Sequence, residues 1–397
     1  MRGSTVRAVN RLTARWAGAL PADRDTVLSA SGVWPLLAFL ADGAAGPART
    51  ELEDALGMPA DRAAVAAREL LAGLSRIPGV GSAVGLWTRP RVRPRDAWAG
   101  GLPEATLGRL GADDAESKRL LDAWAAERTG GLIPAMPVRV TEETDLVLAT
   151  AQAVRTSWLR PFREGDMCPE DGPWAGRELA ALHRTTGLLD RVGVAETDAG
   201  PLTVLRVLGS TGVDVHLLLG PEEAECGAVL KAGVDVLAGT FRTVPGDLLP
   251  LGEPGPGLYV RQVRSTSREP YLAVTTSPFS LTAEHDLTAL HELFGLTTAR
   301  DDTRGHFPGI CDVPPLAVRQ ARQAAMARFG AKGFEAASVT AVGLPGGAAP
   351  ATTYRVRRID LDIDRPFGFL TVHRTSRLVL AAGWVAEPVP YVFEEQD

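Results

Sequence analysis

Residues 330–353 have the sequence GAKGFEAASVTAVGLPGGAAPATT, and the length and composition of this stretch are the strongest indication of the fold. It consists almost entirely of small residues, and Glu335 is its one acidic side chain. A connection of about 20 residues without secondary structure of its own is unusual in a compact domain, where such segments are commonly functional or disordered. From Phe334 to Val342 the odd–even pattern is typical of a strand, although glycines and a proline border it. The pattern predicts a loop that is held outside the fold and can become a strand inside it.

The composition is that of an ordinary globular protein and argues against several functional classes. The 397 residues are 45% hydrophobic and 23% charged, and the net charge is −6. A mildly acidic chain offers no basic surface for nucleic acid or for anionic membranes. The sequence contains no apolar run of about 18 residues, so a membrane-spanning helix is not expected.

The N-terminal segment and the cysteines favour a cytoplasmic protein. Residues 1–20 are amphipathic and lack the continuous apolar core of a signal peptide, so they predict a first core helix. The three cysteines, Cys168, Cys226 and Cys311, are odd in number and far apart, which argues against a disulfide framework and suits a reducing compartment. Export by an unconventional route stays open.

The order of predicted elements indicates one α+β domain. Helices are predicted at residues 33–40, 49–56, 62–74, 120–128, 287–294 and 316–329. Strands are predicted at residues 82–87, 146–154, 202–208, 213–219, 258–263, 271–274, 367–372 and 377–385. Helices and strands do not alternate, which argues against a doubly wound fold. Residues 146–154 are nearly all apolar or small, so a strand covered on both faces is expected there.

No catalytic or metal-binding motif emerges from the sequence. It lacks a Gly-x-Ser-x-Gly elbow, a phosphate-binding loop and a dinucleotide fingerprint. Cys168 has no histidine partner nearby in sequence. The alternating Asp360, Asp362 and Asp364 could in principle hold a hard cation, but a strand face paired with Arg355, Arg357 and Arg358 is the simpler interpretation. The sequence therefore predicts a protein without catalytic residues, metal or cofactor.

Several motifs together resemble one known family. The stretch KGFEAASVT at 332–340 resembles the hinge of the reactive-centre loop of serpins. Five further stretches resemble conserved parts of that family: 26–43, TVLSASGVWPLLAFLADG; 130–134, GGLIP; 144–162, TDLVLATAQAVRTSWLRPF; 284–287, EHDL; and 364–370 with 378–388, DRPFGFL and LVLAAGWVAEP. These stretches follow the family's order and span nearly the whole chain. The sequence is therefore identified as a divergent, bacterial-type member of the serpin family.

This resemblance implies a fold and a mechanism. It implies a single domain over residues 1–397, with about eight or nine helices packed on three mainly antiparallel β-sheets and an exposed reactive-centre loop at about 330–358. It also implies a serine protease inhibitor that acts as a suicide substrate, whose cleaved loop inserts as a strand in the main sheet. The expected partner is a serine protease or a cysteine protease, and a monomer without cofactor is expected. The alternative is a non-inhibitory binding protein of the same fold.

The resemblance also assigns functional positions. The hinge comprises Lys332, Gly333, Phe334, Glu335, Ala336, Ala337, Ser338, Val339 and Thr340. The tryptophan that ends the central strand is Trp158, and Gly32, Thr150 and Gln323 stand where the family has a buried Ser-Asn-His cluster. The reactive-site bond falls at Gly347–Ala348 when counted from the hinge, and near Tyr354–Arg355 when counted back from the C-terminal motif.

Two hinge residues depart from the family pattern. Phe334 stands where serpins usually have threonine or serine, and Ala331 stands where they usually have an acidic residue. Phe334 would face the core once the loop is inserted, and burying an oversized side chain costs roughly 1–3 kcal/mol. Phe334 and the altered buried cluster therefore favour the non-inhibitory alternative.

Overall fold

The computed structural model describes residues 1–21, 24–141, 144–311, 315–334 and 354–392. Within these ranges the eight α-helices are α1 (Gly3–Ala17), α2 (Ala30–Asp42), α3 (Gly46–Leu56), α4 (Ala60–Leu74), α5 (Asp96–Ala99), α6 (Asp114–Thr129), α7 (Cys226–Ala238) and α8 (His291–Phe294). The described helices are all too short or too polar to cross a membrane.

The described part of the chain contains nineteen strands. They are β1 (Thr26–Leu28), β2 (Val80–Thr88), β3 (Leu107–Arg109), β4 (Leu146–Val154), β5 (Thr156–Ser157), β6 (Arg163–Met167), β7 (Leu179–Thr186), β8 (Val192–Thr197), β9 (Gly200–Val207), β10 (Val213–Leu219), β11 (Thr243–Pro245), β12 (Leu258–Ser265), β13 (Tyr271–Thr276), β14 (Phe279–Asp286), β15 (Gln320–Phe329), β16 (Gly333–Phe334), β17 (Tyr354–Ile363), β18 (Phe367–His373) and β19 (Leu378–Val385). They form three mainly antiparallel sheets, as expected.

The main sheet has the strand order β3-β2-β4-β15, with β14 on the other edge of β15 and the short β16 and β5 at one end. Every residue of β4 is buried, which confirms a strand covered on both faces. Leu148 lies in the large core cluster that includes α2, whereas Val147 and Ala149 pack against α6. The period of two in a strand thus sends alternate residues to the two helical layers.

The other two sheets complete the domain. The second has the order β1-β19-β18-β10-β9-β8-β11, and it contains both the predicted C-terminal hairpin and the predicted hairpin around residues 209–212. α1 and α7 pack beside this sheet. The third sheet has the order β12-β17-β13-β7-β6, in which β17 is antiparallel to β12 and parallel to β13.

Local chain signals set several element ends. α6 ends where Gly130 adopts a left-handed conformation with φ 62°, as the Gly130–Gly131 pair predicted. The side chain of Ser29 caps α2 by accepting a hydrogen bond from the Gly32 N–H.

One predicted helix is wrong, and another begins later than predicted. Residues 316–329 contain many good helix formers, yet residues 320–329 form strand β15 because β4 and β14 pair with it on its two edges. Helix propensity is a weak preference of tenths of a kcal/mol per residue, roughly, and tertiary pairing overrides it. The predicted helix at residues 287–294 begins only at His291, since the Leu287 N–H bonds to Ala321 O of β15.

Candidate functional site

The two central strands of the main sheet separate at one end. β4 and β15 run parallel and pair from Val147–Gln320 to Gln152–Ala325. Four residues further along, Phe329 and Thr156 pair with Phe334 instead of with each other. Neighbouring strands lie about 4.8 Å apart, so the sheet has opened here by the width of one strand. We call this end of the sheet, where β16 lies between β15 and β5, the breach.

Backbone hydrogen bonds hold the first hinge residues in the breach. The N–H groups of Trp158 and Phe162 donate to Lys332 O (2.9 Å) and Ala331 O (2.8 Å). The Trp158 indole N–H donates to Gly330 O (2.8 Å). A Cβ at Gly333 would lie 2.4 Å from Thr156 O, so a glycine is required there. The structure thus places Trp158 against the start of the hinge.

Phe334 is already part of the core in this structure. Its side chain is 3% exposed, and its ring centroid lies 6.4 Å from that of Phe369. Phe279 stacks on Phe369 at 4.7 Å and on Phe329 at 5.4 Å. The side chains of Trp158, Phe162, Phe279, Phe329, Phe334 and Phe369 together form what we call the aromatic cluster. The phenyl ring therefore has a site that fits it, and its burial does not await loop insertion.

The predicted loop boundaries of about 330 and 358 are too wide. Gly333–Phe334 is a strand, and Tyr354 begins β17. Tyr354 and Arg355 pair with Ser265 and Arg264 across the edge of the third sheet. The remaining predicted hinge residues, Glu335, Ala336, Ala337, Ser338, Val339 and Thr340, and the candidate bond Gly347–Ala348 lie outside the described residues.

A second group of side chains ties β4 to β15 underneath the sheet. Gln323 is 1% exposed, and its Nε2 donates to Ser29 O (2.8 Å) and to Thr150 Oγ1 (3.2 Å). Its Oε1 accepts from the Ser29 N–H (2.8 Å). The structure therefore brings Thr150 and Gln323, two of the residues that the resemblance singled out, into hydrogen-bond contact.

Three members of this group were missed by sequence reasoning. Ser29 Oγ and Ser31 Oγ donate to Gln152 Oε1 at 2.6 and 2.9 Å, and Gln152 Nε2 donates to Leu380 O at 3.2 Å. A glutamine within a fully buried strand needs hydrogen-bond partners, and that was the available signal. We call Ser29, Ser31, Thr150, Gln152 and Gln323 the buried polar cluster.

Gly32 contributes space rather than a side chain to this cluster. A Cβ at Gly32 would lie 3.4 Å from Gln152 Oε1 and 3.6 Å from the Thr150 side chain. The glycine thus leaves room for the longer Gln152. None of the five cluster side chains titrates near neutral pH. The nearest titratable group across the β14–β15 register is His285, which bonds to Val27 O, and burial lowers its pKa.

Asp360 of β17 forms two ion pairs. Asp360 contacts Arg358 (2.6 Å) and Arg261 (3.1 Å). Arg357 instead bonds to Leu249 O. The predicted pairing of this strand face with arginine is therefore confirmed for Arg358. Arg357 has a different partner, and Arg355 lies near the start of β17, where it pairs with Arg264 of β12.

We predict that Gln323→Met destabilises the fold by about 2–3 kcal/mol. The substitution leaves the buried N–H and C=O of Ser29 without their side-chain partner, and an unsatisfied buried group costs roughly 1–3 kcal/mol. Urea unfolding measures the change. Gln262→Met, on the exposed edge strand β12, is the matched control and should stay within about 0.5 kcal/mol of the parent. Equal stability of the two variants would contradict the role of the cluster.

We predict that Phe334→Ala releases the hinge from the breach. Truncation of a buried phenylalanine costs roughly 3–5 kcal/mol, and each 1.4 kcal/mol is about a tenfold change in the open population. Limited trypsin cleavage after the exposed Lys332 should therefore accelerate at least about tenfold. Phe334→Leu keeps an apolar side chain and should retain most of the protection. A cleavage rate that is the same in all three proteins would show that Phe334 does not anchor the hinge.

Comparison with known proteins places the chain in a family. Residues 7–171 and 260–388 match the family model described as Serpin (serine protease inhibitor). Serpin-Z6C of Oryza sativa subsp. japonica is 27% identical, with 97% of this chain and 95% of that protein covered. Mouse plasminogen activator inhibitor 1 is 24% identical, with coverages of 92% and 87%.

Solved structures show the same fold. The thermophilic serpin tengpin in its native state has a TM-score of 0.75 and 13% identity, with 98% of this chain and 95% of that chain covered. Thyroxine-binding globulin in complex with thyroxine has a TM-score of 0.72 and 18% identity, with coverages of 97% and 99%. Since the family model matches well over half of the chain, this protein belongs to the serpin family, which is described as a family of serine protease inhibitors.

Proposed function

We propose that this protein inhibits a serine protease by offering the segment between β16 and β17 as a substrate and inserting the cleaved segment between β4 and β15. Membership of the serpin family supports protease inhibition in general. The observation that supports the insertion step is the pairing of Phe334 with both Phe329 and Thr156. The first residue of the future strand already has the register that the rest would continue.

The register defines where the inserted segment would go. Because Phe334 runs antiparallel to both neighbours, each further loop residue would lie opposite a residue one position earlier on β15 and on the β4–β5 side. Residues 335–337 would enter the part of the breach where β4 and β15 do not pair. Residue 338 would be the first to displace an existing pair, Ala325–Gln152. Thr340 would then lie opposite Gln323 and Thr150, at the buried polar cluster.

The side chains of the hinge suit this path. Residues two apart on a strand share a face, so Ala336, Ser338 and Thr340 would follow Phe334 into the core. Their opposite neighbours Ala327 and Ala325 are buried in the same core cluster as Phe334. Small side chains can slide past a closely packed layer, whereas large ones cannot.

Strand insertion would satisfy a new row of backbone groups on each side of the loop. Each hydrogen bond contributes about 0.5–1.5 kcal/mol net to stability. Insertion of a serpin loop into a β-sheet is a known example of β-strand addition. The initial cost is the separation of the six residue pairs between β4 and β15. An inserted strand would replace these pairs on both edges and add those along residues 326–328.

The proposed reactive-site bond is Gly347–Ala348. In the register above, residue 343 would lie opposite Gln320, the first residue of β15. A cut four residues later would leave a strand long enough to span β15. The other candidate, Tyr354–Arg355, starts β17, so cleavage there would require the strand end to unpair from β12.

A second candidate function is that of a binding protein of the same fold that does not trap proteases. The observation in its favour is a groove of about 720 Å³ between α1 and α7. Thyroxine-binding globulin, which has a similar fold, carries a small molecule. The insertion experiments below separate the two candidates, because a pure binding protein has no need to insert its cleaved loop.

We predict that Ala336→Arg abolishes trapping and that Ala337→Arg does not. Insertion would force the guanidinium of the first variant into the core, and a buried unpaired charge is strongly disfavoured. Ala337 would lie opposite the half-buried Met326 on the other face. The measurements are the covalent complex with a serine protease in denaturing gels and the rise of the thermal midpoint on loop cleavage. Both should be lost in the first variant only. The same behaviour in both variants would contradict insertion in this register.

We predict that a protease accepting small residues yields a new N-terminus at Ala348. Gly347 and Ala348 present no side chain that a basic-specific protease would recognise. Mass spectrometry of the C-terminal fragment released from the complex identifies the bond. Cleavage at Tyr354–Arg355 or directly after Arg355 by a trypsin-like protease, with complex formation, would overturn this assignment.

A further inference from the structure

Four arginine side chains line one small cavity beside the breach. They are Arg160, Arg184, Arg191 and Arg206, and the cavity has a volume of about 90 Å³. Leu159 and Leu188 form an apolar rim and are 57% and 42% exposed. The arginines come from four different parts of the chain, so the fold brings their positive charges together.

Arg184 is the most buried of the four. It lies on β7, is 9% exposed, and stacks its guanidinium over the Phe162 ring at 4.2 Å. Its Nη1 donates to Arg160 O (3.2 Å), whereas its buried Nε finds no hydrogen-bond partner in the described part of the protein. Burial, together with the charges of Arg160 and Arg191, lowers the pKa of Arg184 to about 10, so it stays cationic at neutral pH.

The charges around this cavity are poorly balanced. Arg191 pairs with Asp190 at 3.5 Å, the one ion pair that the described residues make with these four arginines. Arg206 donates to the backbone oxygen of Asp190, and Arg160 donates to Thr186 Oγ1 (3.2 Å). A buried cation is costly unless it is paired. Stacking on Phe162 explains the position of Arg184 but not the convergence of three further arginines.

We propose that this cavity binds a tetrahedral oxyanion, namely phosphate or sulfate, either free or as the terminal group of a small molecule. The guanidinium group offers planar, forked donors that match such oxygens, and hydrogen bonds between ionised groups are the stronger kind. A cavity of about 90 Å³ has room for a few water-sized groups, which suits one such tetrahedral anion. The apolar rim accommodates a short carbon substituent on an esterified anion.

The cavity is connected to the hinge by short chain segments. The Leu159 N–H donates to Leu208 O (3.0 Å) at the cavity wall. The neighbouring Trp158 and Phe162 donate to the hinge carbonyls of Lys332 and Ala331. An anion that fixes Arg160 and Arg184 therefore stabilises the segment that holds the hinge. Arg184, Arg191 and Arg206 lie between the two segments that match the family model.

The test is calorimetric titration of the uncleaved protein with inorganic phosphate, inorganic sulfate and glycerol phosphate at constant ionic strength. Saturable binding is expected. Tighter binding of inorganic phosphate or sulfate would indicate a free anion as the ligand, whereas tighter binding of glycerol phosphate would indicate an esterified one. Arg184→Gln and Arg206→Gln should each weaken binding at least about tenfold. Arg163→Gln, an exposed arginine of the adjacent β6, is the control and should bind like the parent.

Two results would overturn the proposal. One is the absence of saturable binding of all three anions to the parent protein. The other is equal binding by Arg163→Gln and Arg206→Gln, which would indicate general charge screening. If Arg184→Gln does not fold, Arg206→Gln at the half-buried cavity edge decides the question alone. Because these measurements use no protease and an uncut loop, their failure is distinguishable from failure of the proposed inhibitory function.

Discussion

The pairing of Phe334 between Phe329 and Thr156 is the constraint on which the functional architecture depends. It forces β15 and β5 to stand two strand spacings apart, while β15 and β4 remain directly paired four residues earlier. The two strands therefore separate between the pair Ala325–Gln152 and the level of Phe329 and Thr156, where β16 lies between them. Beside this split, the N–H groups of Trp158 and Phe162 donate to Lys332 O and Ala331 O.

Two clusters of side chains have opposite effects on the separation of β4 from β15. The aromatic cluster keeps the breach filled, and burial of a phenylalanine side chain contributes about 1.5–3 kcal/mol. The buried polar cluster keeps β4 and β15 together, helped by six residue pairs whose hydrogen bonds contribute about 0.5–1.5 kcal/mol each. The closing contributions together exceed the opening one. The opening of the sheet therefore stops at the breach. Under the proposed mechanism, cleavage between β16 and β17 frees the segment that follows β16 from its connection to β17.

The sequence was sufficient for the fold class and for several individual elements, but not for the arrangement of strands around the breach. The hairpin of β18 and β19 and the buried β4 were predictable because their apolar patterns are local. β15 was not, since its alanines and glutamines favour a helix in isolation and only the edges of β4 and β14 make it a strand. The buried polar cluster was predicted in part. Thr150 and Gln323 follow from the family pattern, whereas Ser29 and Gln152 meet only through three-dimensional packing. Residues 335–353, which hold the candidate reactive bond, lie outside the described part of the chain.

The structure gives Phe334 a different role from the one that the sequence suggests. In the sequence it is an oversized residue that loop insertion would have to bury. In the structure it fills a site among Phe329, Phe279 and Phe369, where a threonine would leave a void. The phenyl ring therefore belongs to the resting fold, and its burial is not a barrier to insertion. Under the proposed mechanism, the barrier to insertion would lie further along the register, where Ala325 pairs with Gln152 and where Gln323 bonds to Thr150. Under the proposed mechanism, insertion of the loop is therefore controlled at the buried polar cluster, and Phe334 sets the register in which the loop would reach that cluster.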